Sequence, residues 1–118
     1  DDVANYLPSR LSALLLIAAS FFCRENGKNA WKIWRRDRRN HASPNSAQTE
    51  AVMAGALSVQ LAGPAWYFGE YYDKPTIGDP LRPVEPGDIL RANRMLYWGG
   101  FLSLILLCGI RALICIIL

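Results

Sequence analysis

Five polar residues crowd one stretch of this sequence: Asp37, His41, Ser43, Asn45 and Glu50. Asp37 lies four residues before His41, which puts both on one face if a helix runs through them. Ser43 precedes Pro44, an N-cap followed by proline at the first helical position, and Asn45 with Gln48 offers a second capping arrangement. A helix that starts here presents free N–H groups and the positive end of its dipole, a seat for a phosphate or a carboxylate. Asp37 and Glu50 are alternatively carboxylate ligands for magnesium. The same residues also make sense as a well-capped loop with solvated charges. His41 is the only histidine, so no multi-histidine metal site exists within the chain.

Two further groups border this stretch. Asp1, Asp2, Asn5 and Arg10 sit at the mouth of the first apolar run, where ionisable groups next to a membrane are functional suspects. Lys74, Gly78 and Asp79 belong to a loop that either closes on a ligand or is a surface turn. Arg111 interrupts the last apolar run and either snorkels or pairs within a bundle. Phosphate-loop, dinucleotide, zinc-protease and nucleophile-elbow patterns are all missing from the sequence. Cys23, Cys108 and Cys115 read as small apolar residues, with no disulfide, zinc site or thiol nucleophile expected.

The elements that must hold these residues follow from composition. The chain has 118 residues, 52% hydrophobic and 19% charged, which argues against disorder. A net charge of +3 is modest, so its distribution matters more than its total. Residues 95–118 carry one charge, Arg111, and are long enough to cross a bilayer. The first apolar run, counted from Tyr6 to Cys23 with Pro8 at a helix start, is short for a span. It is read as a tilted membrane helix, with a buried helix as the alternative. Residues 24–39 hold seven Lys/Arg interleaved with Trp31, Ile33 and Trp34. Nucleic-acid binding would need a recognisable platform, and none appears. A surface-lying amphipathic helix competes with the favoured reading, a positive-inside flank that marks the cytoplasmic side.

A helix is predicted over residues 49–63, where Ala51, Ala54, Gly55, Ser58 and Ala62 allow close approach of a neighbour and Gly63-Pro64 ends it. Residues 66–88 form an ordered loop or short hairpin, and Asp88 caps the last helix. The expected architecture is an all-α membrane protein in which two terminal transmembrane helices (1–23 and 95–118) flank a cytoplasmic helical and loop segment (24–94). The start at Asp1, without a methionine or a signal-peptide pattern, leads us to expect a piece of a longer protein.

Four blocks carry a family resemblance. They are Asp-Asp-Val-Ala-Asn-Tyr-Leu-Pro-Ser-Arg-Leu at 1–11, Arg-Asp-Arg-Arg-Asn-His-Ala-Ser-Pro-Asn at 36–45, the Glu-Ala-Val-Met-Ala-Gly-Ala-Leu helix within 50–63, and Lys-Pro-Thr-Ile-Gly-Asp at 74–79. In this order they resemble the adenosylcobinamide-phosphate synthase family of cobalamin biosynthesis, over nearly the whole chain. The resemblance implies the C-terminal portion of a multi-pass enzyme of the plasma (inner) membrane, inactive on its own.

By that resemblance the enzyme joins the carboxylate of adenosylcobyric acid, a corrinoid, to an aminopropanol O-phosphate through an amide. It also implies ATP to activate the carboxylate as an acyl phosphate, and Mg2+ as counter-ion. Asp37, His41 and Glu50 would be catalytic, with Asp37 and Glu50 serving metal or amine and His41 carrying a proton. Ser43, Asn45, Asp2, Asn5, Arg10, Lys74 and Asp79 would bind substrate. The implied partners are these substrates and the lipid bilayer, with no nucleic acid and with a homo-oligomer left open. The rival reading is a non-enzymatic membrane anchor or scaffold with a basic cytoplasmic loop.

Overall fold

The computed structural model describes residues 3–40, 45–72 and 75–118. Three helices, α1 (Tyr6–Phe22), α2 (Gly27–Asp37) and α3 (Ser46–Leu57), lead into four short strands and a long final helix. The strands are β1 (Leu61–Ala62), β2 (Ala65–Tyr67), β3 (Glu70–Tyr72) and β4 (Thr76–Ile77), and the last helix is α4 (Gly87–Ile117).

In α1, Ala13, Leu16, Ile17 and Ser20 recur at helical spacing and are buried. The opposite stripe, Leu7, Leu11 and Leu14, faces outward. The helix begins at Tyr6, so Pro8 sits two residues inside it rather than at its first position. At its far end Arg24 takes a left-handed conformation (φ 61°). Its N–H and that of Glu25 then reach the Phe21 and Ser20 carbonyls, which the end of the helix would otherwise leave bare. Asn26 follows at once and caps α2, its side chain accepting the Asn29 N–H at 3.0 Å.

Helix α2 buries Ala30, Ile33, Trp34 and Asp37 and turns Lys28, Lys32, Arg35 and Arg36 outward. Its buried face lies on α3 rather than on a lipid surface. Gly55 makes this possible: a Cβ there would stand 2.6 Å from the Asn29 carbonyl and 2.7 Å from Ala30 Cα. The small-residue stripe thus has the packing role expected of it. Asn29 Nδ2 donates to the Gly55 carbonyl at 2.8 Å, and Trp34 Nε1 donates to Gln48 Oε1 at 2.9 Å inside the interface.

Two expectations need correction here. Helix α3 spans Ser46–Leu57, not 49–63, and stops at Ser58 in a left-handed conformation (φ 60°). The chain must turn there because Leu61 and Ala62 pair antiparallel with Ile77 and Thr76. Gly78 (φ 86°) presses so close that a Cβ would lie 2.5 Å from the Val59 carbonyl. The chain is also not all-α: besides the β1–β4 pair, β2 and β3 form a hairpin in register Trp66↔Tyr71. Its turn residues Phe68 and Gly69 both have positive φ, the combination that suits a two-residue hairpin.

Of the two terminal spans expected, one helix has the length and composition. Helix α4 has 31 residues and contains an 18-residue window of mean hydropathy 2.5 that is 0% buried. Helix α1 has 17 residues, about 25 Å, and one side of it belongs to the protein core. Helix α4 begins at Gly87, eight residues before the expected start of the span. Its first half packs on α1: Trp98 stacks on Phe22 (centroids 5.1 Å apart), and Gly99 lies against Leu16. Beyond Ser103 its side chains are exposed.

Candidate functional site

The residues singled out by type are gathered in two clusters. The first joins α1 to the start of α3. Asn45 precedes α3 but makes no side-chain capping bond to it. Its Oδ1 instead accepts from Ser9 Oγ and from Arg10 Nη1, both at 3.2 Å. Arg10 also donates to the Tyr6 carbonyl at 2.9 Å, and its guanidinium lies 3.4 Å from the Tyr6 ring centroid. Stacking and two acceptors therefore fix a cation beside the first turn of α3. Asn5 sits at the N-cap position of α1, where its carbonyl accepts the Ser9 N–H at 3.0 Å.

The second cluster clasps β4 to α2. Asp37 is 4% exposed. It accepts from Arg36 Nε (2.9 Å) and Nη2 (2.8 Å) and from the Gly78 N–H (2.7 Å). Asn40 Nδ2 donates to the Thr76 carbonyl at 3.1 Å and, more distantly, to Asp37. Arg36 then bridges outward to both oxygens of Asp79, at 2.9 and 3.0 Å. Burial alone would raise the Asp37 carboxyl, but the Arg36 and Gly78 hydrogen bonds outweigh it and hold the group below the usual carboxylate range. Asp79 is lowered chiefly by its hydrogen bonds from Arg36.

The same-face placement of Asp37 and His41 required a helix that runs through both, and α2 does not continue past Asp37. Helix α2 ends at Asp37, and the Asn40 N–H already turns back to the Asp37 carbonyl. Asp1, Asp2, His41, Ser43 and Lys74 lie outside the described residues. Glu50 is half-buried on α3 and shares no hydrogen bond with Asp37. Asp88 does not occupy the N-cap of α4, which is Pro86, but lies in the first turn and accepts the Glu85 N–H at 2.9 Å.

A magnesium ion fits this donor set poorly. Both Asp37 oxygens already hold an arginine and a backbone N–H, and among the described residues no group of three or more His, Cys, Asp or Glu converges. Several structural partners escaped notice in the sequence. Ser9 and Arg36 are one residue away from singled-out positions but meet partners far along the chain. Arg82, Glu85, Asp88 and Arg91 form an ion-pair knot where α4 begins, with Arg91 donating to Glu85 at 2.6 Å and to Asp88 at 2.8 Å. Only the Asp88–Arg91 spacing had a local signature.

The class defined so far is a small helical platform with a polar cluster at one end and one helix long and apolar enough to cross a membrane. The chain belongs to the CobD/Cbib protein family, whose sequence pattern matches residues 1–96. It is 46% identical over 118 residues to the cobalamin biosynthesis protein CobD of Clostridium perfringens (strain 13 / Type A), covering 100% of this chain and 38% of that protein. It is 53% identical over 111 residues to the cobalamin biosynthesis protein CbiB of Salmonella typhimurium, covering 94% of this chain and 35% of that protein. With CobD of Desulfotalea psychrophila the identity is 51% over 102 residues, 86% of this chain and 31% of that one. The chain therefore spans about a third of the length of these relatives. No solved structure matches it.

Proposed function

We propose that this chain is part of a cobalamin-pathway enzyme of the plasma membrane that joins the carboxylate of adenosylcobyric acid to an aminopropanol O-phosphate, giving adenosylcobinamide phosphate. The observation that supports a site in this chain is the meeting of Arg10 and Ser9 with Asn45. A stacked cation and the N-terminus of α3, to which the Asn45 side chain makes no capping bond, converge there, and both favour an anion. In this reading Arg10 and Asn45 receive a substrate phosphate, and Ser43, Asn5 and Asp2 contribute to the same binding. His41 exchanges the proton of the reacting amine, and Glu50 steadies that amine. Asp37 holds the β4 loop through Arg36 and Gly78, and Lys74 and Asp79 are assigned to substrate binding. ATP supplies the leaving group that amide formation from a free carboxylate lacks, and its phosphates carry the Mg2+. Helix α4 crosses the bilayer, α1 lies at the membrane as a second apolar element, and residues 24–94 face the cytoplasm.

The uncovered second half of α4 equally favours a non-enzymatic anchor, and one experiment separates the two. This chain replaces the aligned segment of the full-length Clostridium perfringens relative, and the chimaera is introduced into a corrinoid-requiring strain that lacks the step. Rescue by the chimaera, lost in its Asn45→Ala and His41→Ala forms at equal membrane abundance, is the expected result. Failure of a well-expressed chimaera would refute the enzyme reading if the unmodified relative rescues. Rescue by all forms would move the chemistry away from the start of α3.

A further inference from the structure

We propose that the outer face of α2 is a binding site for a phosphoryl anion, formed by Lys32, Arg35 and Arg36 around the ring of Trp31. These four residues line an open hollow of about 410 Å³. It is distinct from the Arg10–Asn45 cluster, and it stands or falls independently of the cobalamin reading.

Positions 32, 35 and 36 share one helical face, so three cations repel one another at short range. Among the described residues no carboxylate lies within ion-pair distance of Lys32 or Arg35; Asp79, which Lys32 helps to lower through space, is held by Arg36, and Asp37 is turned inward and buried. Cations in the last turn of a helix complement its dipole, which accounts for Arg35 and Arg36. It does not account for Lys32 a turn earlier, nor for an aromatic ring left 43% exposed beside them. That ring is held in place from below by Trp34, with centroids 5.3 Å apart, and the Arg35 guanidinium lies 5.8 Å from its centre. Two guanidinium forks, one ammonium and one aromatic face suit a phosphate ester, whose several oxygens accept from all three cations at once.

The structure also contains a stand-in for that ligand. Arg36 presents two N–H groups to the Asp79 carboxylate at 2.9 and 3.0 Å, the bidentate geometry that a phosphate accepts equally well. Asp79 is half-exposed, whereas Asp37 is buried and additionally tied to the Gly78 N–H. An incoming phosphoryl group therefore displaces Asp79 and leaves Asp37 in place. Binding at the hollow frees the loop after β4 without unseating α2. The ligand is either a soluble phosphate ester or the headgroup of an anionic phospholipid.

The test uses the full chain in a neutral maltoside detergent, titrated with inorganic tripolyphosphate at constant ionic strength and followed by tryptophan fluorescence. A saturable response is expected. It should disappear in Trp31→Phe, weaken about tenfold or more in the double variant Lys32→Gln/Arg35→Gln, and stay unchanged in Lys28→Gln. Asp79→Asn, which removes the internal competitor, should tighten binding. Far-UV circular dichroism confirms that each variant is folded. Absence of a saturable response, or equal affinity in the double variant and in Lys28→Gln, overturns the proposal. Repeating the titration in nanodiscs assigns the source: phosphatidylglycerol that weakens tripolyphosphate binding relative to phosphatidylcholine identifies the headgroup, and equal binding identifies the soluble ester.

Discussion

Replacing Asp37 by Asn tests the clasp between α2 and β4 with little change in shape. The carboxylate accepts three short hydrogen bonds, at 2.7 to 2.9 Å, from Gly78 and Arg36. An Asn that keeps its oxygen in the place of Oδ2 still accepts from the Gly78 N–H and Arg36 Nη2, but its NH2 group then faces Arg36 Nε, so that bond is lost and the other two lose their charged acceptor. Hydrogen bonds to charged groups contribute about 1.5–3 kcal/mol each. Arg36 is 44% exposed, so water takes up much of what it loses, and the sum falls to about 2 kcal/mol. The pH dependence is the sharper part. Because the folded state holds the Asp37 carboxyl below the ordinary 3.8, ionised Asp37 favours folding at all pH above that value. That contribution fades as pH falls through the lowered folded value, because parent and variant are then both neutral at this position. Asp79, also lowered, is present in both proteins and largely cancels in the comparison. Urea unfolding of the full chain in detergent should therefore show a gap of about 2 kcal/mol at neutral pH that narrows as the pH is taken below 3.8. A gap of equal size at neutral pH and below that value, or none at pH 7, would show that the clasp is not electrostatic.

Three further outcomes are expected. Gly55→Ala gains about 1 kcal/mol of helix propensity but forces a methyl against the α2 backbone. Overpacking costs about 1–3 kcal/mol, and the Asn29–Gly55 bond is strained as well, so the net result is destabilisation of about 1–2 kcal/mol. Gly100→Ala, inside α4 with nothing within 4 Å, keeps the propensity gain without the clash and should not destabilise, and equal behaviour of the two would disprove the close α2–α3 contact. Arg10→Gln in the chimaera should abolish rescue at normal abundance, as Asn45→Ala does, whereas retained rescue would remove Arg10 from the site. Leu107→Arg places a charge on an exposed position of α4 at a cost of about 2.5–3.5 kcal/mol for insertion, so the membrane-extracted fraction should fall, and an unchanged fraction would argue that α4 does not cross the bilayer.

Periodicity made the helices legible, and residue type picked out Asp37, Asn45, Arg10 and Asp79. What stayed hidden was their company. Arg10 meets Asn45 across 35 positions, and Asp37 meets Gly78 across 41, and no local spacing encodes either contact. The one partnership that spacing suggested, Asp37 with His41, required α2 to continue, but Asn40 already turns the chain. The end of α3 was misplaced for a related reason. The run Ser58-Val59-Gln60-Leu61-Ala62 remains compatible with a helix, and what ends it is the pairing of Leu61 and Ala62 with a strand fifteen residues away. Small residues at 51, 54 and 55 signalled close packing correctly, because that signal concerns the helix's own surface and not the identity of its neighbour.

The direction of α4 connects the site to the apolar run. Trp98 lies on Phe22, Gly99 on Leu16, and Ser103 shares a cleft with Ser12 and Thr49. Advancing along α4 therefore means moving back along α1, so the helices are antiparallel. The uncovered half of α4 consequently leaves the platform at the end that carries Ser9, Arg10 and Asn45, not at the Cys23–Asn26 turn. The outward face of α1 on that flank is Leu7, Leu11 and Leu14, apolar where a water-facing helix would be polar. If α4 crosses a bilayer as proposed, that bilayer borders the polar cluster directly, and Arg10, held over the Tyr6 ring at that border, is the cation that the proposed function sets to meet an anion arriving along the membrane surface.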